Sequence, residues 1–211
     1  LYNFKSTRSV TLEMMIRHSI SVRQGISDSL MIVDMPYNTY NKPSQALKNC
    51  KKVMKLTKCD GLKIEGGLKK IKIIKHLIKN KIPVMGHLGI LPQSTKGKFK
   101  SKGKSIKERN ELIRDCKILE DAGVFSIVLE CVESKLARHI TNLIKIPTIG
   151  IGSSNNCDGQ ILVIDDILGL TGSKMKFVKK YADIKKIIAF GAKKFKKEVK
   201  SKKYPSQKHS Y

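Results

Sequence analysis

Short apolar runs rich in Ile, Val and Leu recur six times along the 211 residues: 29–34, Gly61–Glu65, 82–87, 126–131, 146–152 and 160–164. None alternates apolar with polar residues as a half-exposed strand does, so each reads as a strand covered on both faces. Between most of them lie stretches with apolar residues at helical spacing, clearest at 44–57, 68–79, 105–122 and 135–143. Residues 11–23 read as an opening helix, and 183–202 as a basic closing helix before a polar tail, 204–211. Strand and helix in strict alternation specify an α/β protein with a parallel sheet. Six units would satisfy an open doubly wound sheet, whereas a closed (β/α)8 barrel needs eight and typically about 250 residues. The positions of the polar residues favour the barrel. Asp34, Glu65, His87, Glu130, Gly150 and Gly152 all fall at the C-terminal ends of the runs, and in a barrel those ends converge on one mouth. The expected fold is therefore a (β/α)8 TIM barrel with about six of its units in this chain. It forms a single partial catalytic domain over 1–203, followed by the tail.

The residues at those ends define the candidate chemistry. Asp34 closes the run Met31-Ile32-Val33, and a carboxylate there is costly unless paired, capping a helix or metal-bound. Lys63 and Glu65 stand two apart on one strand and share a face. Together they suit an anionic substrate and a hard cation such as Mg²⁺, or form a structural ion pair. Gly66-Gly67 permits close backbone approach to a ligand, or is a turn. His87, in Gly86-His87-Leu88-Gly89, is a pocket residue or a hydrogen-bonded structural one. Glu130 follows Ile127-Val128-Leu129, apolar company that suits a general base or acid. Cys131 beside it reads as packing rather than nucleophile. Gly150-Ile151-Gly152-Ser153-Ser154 could offer N–H groups to an anion, though a plain tight turn explains it better. No Ser/His/Asp set, phosphate-cradling lysine loop or complete GxGxxG occurs.

Composition narrows the alternatives. The formal charge is +26, from 43 Lys and Arg against 17 Asp and Glu. Such a field favours anionic partners, nucleic acid included. Yet only Arg8, Arg17, Arg23, Arg109, Arg114 and Arg138 are arginine, the residue preferred for bidentate base and phosphate contacts. Scattered lysine, denser at 96–107 and 174–203, is expected to bind nucleic acid only non-specifically if at all. The five cysteines (Cys50, Cys59, Cys116, Cys131, Cys157) have neither zinc-ligand nor disulfide-framework spacing. They are expected to be reduced thiols in a cytoplasmic protein. No apolar run approaches the roughly 20 residues of a membrane span.

Taken together, the segments resemble the ketopantoate hydroxymethyltransferase family. The resemblance is carried by STRSVTLEMMIRH (6–18), Val33–Tyr37, LKIEGG (62–67), PVMGHLGILPQS (83–94), LEDAGVFSIVLECV (119–132), IPTIGIG (146–152), DGQILV (158–163) and YPSQKHS (204–210). It implies a (β/α)8 barrel and a Mg²⁺-dependent transfer of a hydroxymethyl group from 5,10-methylenetetrahydrofolate to 3-methyl-2-oxobutanoate in pantothenate biosynthesis. Carried over by motif, Asp34 and Glu65 are metal-site carboxylates, Asp34 and Lys63 contact the keto-acid, Glu130 accepts the proton, and His87 lines the pocket. The resemblance also implies a homo-oligomer, a decamer in the family.

The sequence departs from the family in three places. The chain opens Leu1-Tyr2-Asn3 without methionine, and the family's first two βα units, with a Gly-Asp-Ser motif supplying a further metal-site Asp, have no counterpart in it. Ser153-Ser154 replaces a small Ala/Gly pair. The loop 95–104 keeps Phe99, Lys100 and Gly103 but is short and lysine-rich. The leading expectation is an enzyme of this family lacking its N-terminal portion. The alternatives are an inactive truncated remnant and a basic nucleic-acid-binding protein.

Overall fold

The computed structural model describes residues 4, 6–95 and 100–211. Phe99 and the lysines at 96 and 98 of the expected loop lie outside the described residues. Residues 1–161 and 162–211 form two compact units.

In the first unit six parallel strands pair strictly in chain order: β1 (Ile32–Asp34), β2 (Gly61–Glu65), β3 (Val84–Gly89), β4 (Ser126–Glu130), β5 (Thr148–Ile151) and β6 (Gly159–Gln160). The helices between them are α2 (Pro43–Thr57), α3 (Ile71–Lys79), α4 (Ile106–Asp121) and α5 (Ser134–Leu143), with α1 (Leu12–Gln24) preceding β1. This is the expected fold class, strand–helix units curling as part of a (β/α)8 barrel. Local chemistry sets the helix boundaries. Thr11 and Ser105 accept hydrogen bonds from Met14 and Glu108 N–H as N-caps. Pro43, which has no N–H to leave unpaired, opens α2. Lys58 ends α2 in the left-handed conformation at φ 55°.

Each helix buries one stripe. Ala46, Cys50 and Val53 of α2, Ile73, Ile74 and Leu77 of α3, Cys116 and Leu119 of α4, and Leu136, Ala137 and Ile140 of α5 share one core with Leu62, Ile64, Ile127 and Leu129 of the sheet. Each large side chain so buried contributes about 1.5–3 kcal/mol.

Only β2 keeps its sequence-based bounds; β4 and β5 fall inside theirs, and β1, β3 and β6 differ for identifiable reasons. Residues 29–31 do not extend β1, because Met31 N–H donates to the Asp60 carboxylate at 2.8 Å instead of a ladder carbonyl. β3 starts after Pro83, which has no N–H to donate, and runs on to Gly89, so His87 sits inside the strand rather than at its end. β6 is only Gly159–Gln160, and the run 161–164 is not strand; Ile164 opens the short helix α6 (Ile164–Ile167). Asp165 and Asp166 in the first turn of α6 favour a helix N-terminus over further strand. Asp158 fixes the start of β5, accepting from Thr148 N–H at 2.8 Å and its hydroxyl at 3.0 Å.

The second unit contains α6 and α7 (Ile184–Lys200), capped by Asp183. The 204–210 tail folds back on α7: the Tyr204 ring lies 5.3 Å from Phe195 edge-on, and 5.4 Å from His209. No helix among the described residues is long and apolar enough to cross a membrane.

Candidate active site

Parallel pairing places Asp34 beside Lys63, Glu65 beside His87, His87 beside Val128, and Gly89 beside Glu130. Paired residues in a parallel sheet project to the same face, so all five expected site residues share one face at the C-terminal end of the sheet. They line a cavity of about 190 Å³ together with Thr7, Val10, Met15, Pro36, Pro92 and Gln93.

The ammonium of Lys63 lies 3.1 Å from Asp34 Oδ2 and 3.2 Å from His87 Nδ1. An ammonium can only donate, so Nδ1 is the acceptor and the ring proton sits on Nε2. Burial holds His87 below its ordinary pKa, with the Lys63 charge acting in the same direction and Glu130 opposing both. The imidazole is therefore neutral. Its Nε2 is 3.1 Å from Glu130 Oε2, but the approach is off the N–H direction and no hydrogen bond forms. The ring is 1% exposed, and among the described residues its Nε2–H has no well-aligned hydrogen-bond acceptor. Such groups call for an explanation, and an incoming oxygen is one.

Glu65 is 7% exposed. Burial pushes its carboxyl up to about 7, with repulsion from Asp34 and Glu130 adding to the effect and Lys63 and the Gln93 N–H opposing it. Three carboxylates thus meet one ammonium and one neutral imidazole. Among the described residues no group of three or more His, Cys, Asp or Glu is arranged to hold a metal ion by itself. Asp34 and Glu65 are two hard oxygen donors. That fits Mg²⁺, which binds through one or two carboxylates and takes its remaining ligands from substrate and water.

Other sequence candidates pack against their neighbours. The Gly67 backbone is approached by the Asp115 carboxylate of α4, which leaves no room for a Cβ, and Gly66 stands at φ 113°, the pair lining a separate cavity of about 440 Å³. Gly150 is packed against the Gln160 amide and the Cys157 sulfur. The Cys131 thiol is pushed up to about 11 by burial and by Glu130, in keeping with a non-nucleophilic thiol. Ser153 links Leu129 O (2.7 Å) and Val132 N–H (3.0 Å), bridging the chain on both sides of Glu130.

The residue that motif reasoning passed over is Gln93. It lies within the quoted PQS yet carried no assigned role, and it is 8% exposed with both ends of its amide engaged. Its partner Tyr40, also buried, has a hydroxyl pushed upward by burial and the Glu65 charge, so it remains a donor.

The ketopantoate hydroxymethyltransferase family model matches residues 1–207. The chain belongs to that family. The 3-methyl-2-oxobutanoate hydroxymethyltransferase of Pelagibacter ubique (strain HTCC1062) is 62% identical over 211 residues, spanning all of this chain and 82% of that protein. The enzyme of the same name from Anaplasma marginale (strain St. Maries) is 42% identical, across all of this chain and 77% of its own length. These family relatives are transferases by name. Among solved structures, 2,3-dimethylmalate lyase, a PEP mutase/isocitrate lyase superfamily member, aligns with a TM-score of 0.55 over 95% of this chain and 72% of that one, at 14% identity. Phosphonopyruvate hydrolase aligns at 0.53 over 96% and 74%, with 11% identity. At such identities the likeness concerns the fold alone, and it agrees with the barrel architecture that the family's strand order builds here.

Proposed function

We propose that this chain transfers a hydroxymethyl group from 5,10-methylenetetrahydrofolate to C3 of 3-methyl-2-oxobutanoate, giving 2-dehydropantoate in pantothenate biosynthesis. It would act in the cytoplasm as a homo-oligomer. The observation that carries this reading is the shared strand-end cavity, where the Glu130 carboxylate faces the neutral His87 across from the Lys63–Asp34 pair.

Deprotonation beside a ketone requires a base at the carbon and positive charge at the oxygens. Glu130 is the base in this reading. Its carboxylate stands at the cavity wall, 17% exposed, where a small substrate can reach it. Lys63 neutralises the substrate's carboxylate, exchanging part of its pairing with Asp34 for the incoming anion. The Nε2–H of His87 donates to a substrate oxygen. Asp34 and Glu65 would hold Mg²⁺, which when bound supplies positive charge beside the keto oxygen and so acidifies C3.

Proton exchange tests the assignment without the second substrate. In D₂O with Mg²⁺ and no folate, the protein is expected to exchange the C3 proton of 3-methyl-2-oxobutanoate, read by proton NMR. Glu130→Gln is expected to slow that exchange by roughly 10²–10⁴-fold, the usual contribution of a positioned base. Undiminished exchange in the variant removes Glu130 from the role.

A further inference from the structure

Asp34 and Glu65 end adjacent strands, and the N–H of the next residue in each case still bonds to the neighbouring strand, Met35 to Lys63 O at 3.1 Å and Gly66 to His87 O at 3.0 Å. One residue beyond the strands touches both sides of this pair. The Gln93 side-chain amide donates to Met35 O at 2.9 Å, directly after Asp34, and its carbonyl accepts from the Tyr40 hydroxyl at 2.7 Å. The backbone N–H of the same residue donates to Glu65 Oε2 at 3.1 Å. That N–H is free to do so because Pro92 precedes it and the turn closes without it: Ser94 and Thr95 N–H both bond to Leu91 O, at 2.9 and 2.8 Å. A single buried residue on the loop after β3 is thus tied to the backbone after one carboxylate and to the side chain of the other. Tyr40, on the loop after β1, fixes the orientation of its amide.

We propose that Gln93 is a positioning residue that sets the spacing of Asp34 and Glu65 for a divalent cation, with Tyr40 holding its amide in the required orientation. This rests on the reading of those carboxylates as the Mg²⁺ site. Partners one step removed from metal ligands typically change metal affinity by about 10–100-fold when lost. Gln93→Met keeps the side chain's length and its backbone N–H but removes both side-chain hydrogen bonds. Tyr40→Phe removes only the hydroxyl.

The test is calorimetric titration of Mg²⁺ into the full protein saturated with 3-methyl-2-oxobutanoate, alongside thermal melting in EDTA. Gln93→Met is expected to raise the Mg²⁺ Kd by about 10–100-fold, and Tyr40→Phe by several-fold. A purely structural role would lower Tm in EDTA and leave Kd where it was. A folded Gln93→Met protein with unchanged Kd overturns the proposal. If that variant does not fold, Tyr40→Phe decides: a raised Kd supports the proposal and an unchanged one overturns it. Failure of the unsubstituted protein to bind Mg²⁺ overturns the metal reading, and this inference with it.

Discussion

On β4, Ile127 and Leu129 lie in the core under the helices, while Ser126, Val128 and Glu130 alternate with them on the opposite face; on β2, Leu62 and Ile64 alternate in the same way with Lys63 and Glu65. One side of this sheet follows packing rules and the other follows electrostatics. The helix-facing side is filled by aliphatic side chains that are almost wholly buried. The other side gathers three carboxylates, a lysine and a neutral histidine around a small cavity. A sheet serving stability alone would fill that face as well, since interiors are close-packed. Under the proposed function, the difference between the faces marks where stability is given up for chemistry.

Neighbouring residues on one strand provide the sharpest way to break the comparison. Glu130→Gln is expected to lose roughly 10²–10⁴-fold in proton exchange while leaving Tm nearly unchanged. Leu129→Ala, one residue earlier and facing the helices, is expected to do the reverse. Removing a fully buried leucine costs about 2–5 kcal/mol, seen as a lowered Tm, with the KM for the keto-acid little changed in the folded fraction. Should Leu129→Ala raise KM as strongly as a change on the polar face does, the two faces are coupled and the division fails.

Lys63→Ala should have the next largest effect. A charge-assisted hydrogen bond is worth about 1.5–3 kcal/mol, which corresponds to a rise in keto-acid KM of roughly 10–100-fold. An unchanged KM would remove Lys63 from substrate binding and leave it as the partner of Asp34 alone.

The two faces were also unequally legible in the sequence. Helical spacing and unbroken apolar runs identify the packed face, because burial between helices and sheet imposes a period on any sequence that makes it. At β1 the bound differs because of a contact from elsewhere in the chain, the Asp60 carboxylate on Met31 N–H, which is invisible to a local pattern; at β3 and β6 the cause is local, Pro83 and the Asp165–Asp166 pair. On the polar face, Asp34, Glu65, His87 and Glu130 could be singled out because a charge ending an apolar run is conspicuous. Gln93 and Tyr40 could not. A glutamine in a proline-containing loop looks the same whether it is solvated or buried, and only the tertiary approach of the β1 and β3 loops makes it a clasp. At Gly67 and Gly150, which read as ligand-approach positions, the close approach is made by Asp115, and by Gln160 and Cys157.

The smallest expected effect tests most directly whether the polar face costs stability. Glu65 has its folded pKa raised to about 7 from an ordinary 4.5, chiefly by burial. Its charged form is thus disfavoured in the fold. Below about pH 4.5 folded and unfolded states both hold the proton and there is no penalty. As pH rises towards 7 the unfolded chain releases the proton more readily than the folded one, and stability falls by up to about 3 kcal/mol before levelling off. Glu65→Gln has no such proton to lose, and its side-chain oxygen can still accept from the Gln93 N–H. In EDTA the variant is therefore expected to match the unsubstituted protein near pH 4.5 and to melt several degrees higher at pH 8. Mg²⁺ with the keto-acid should then reverse the order, because a ligand that binds the folded state stabilises only the protein that can hold it. If Glu65→Gln melts lower than the unsubstituted protein at pH 8 in EDTA, Glu65 contributes to the packed fold, and the boundary between the two faces must be drawn beyond it.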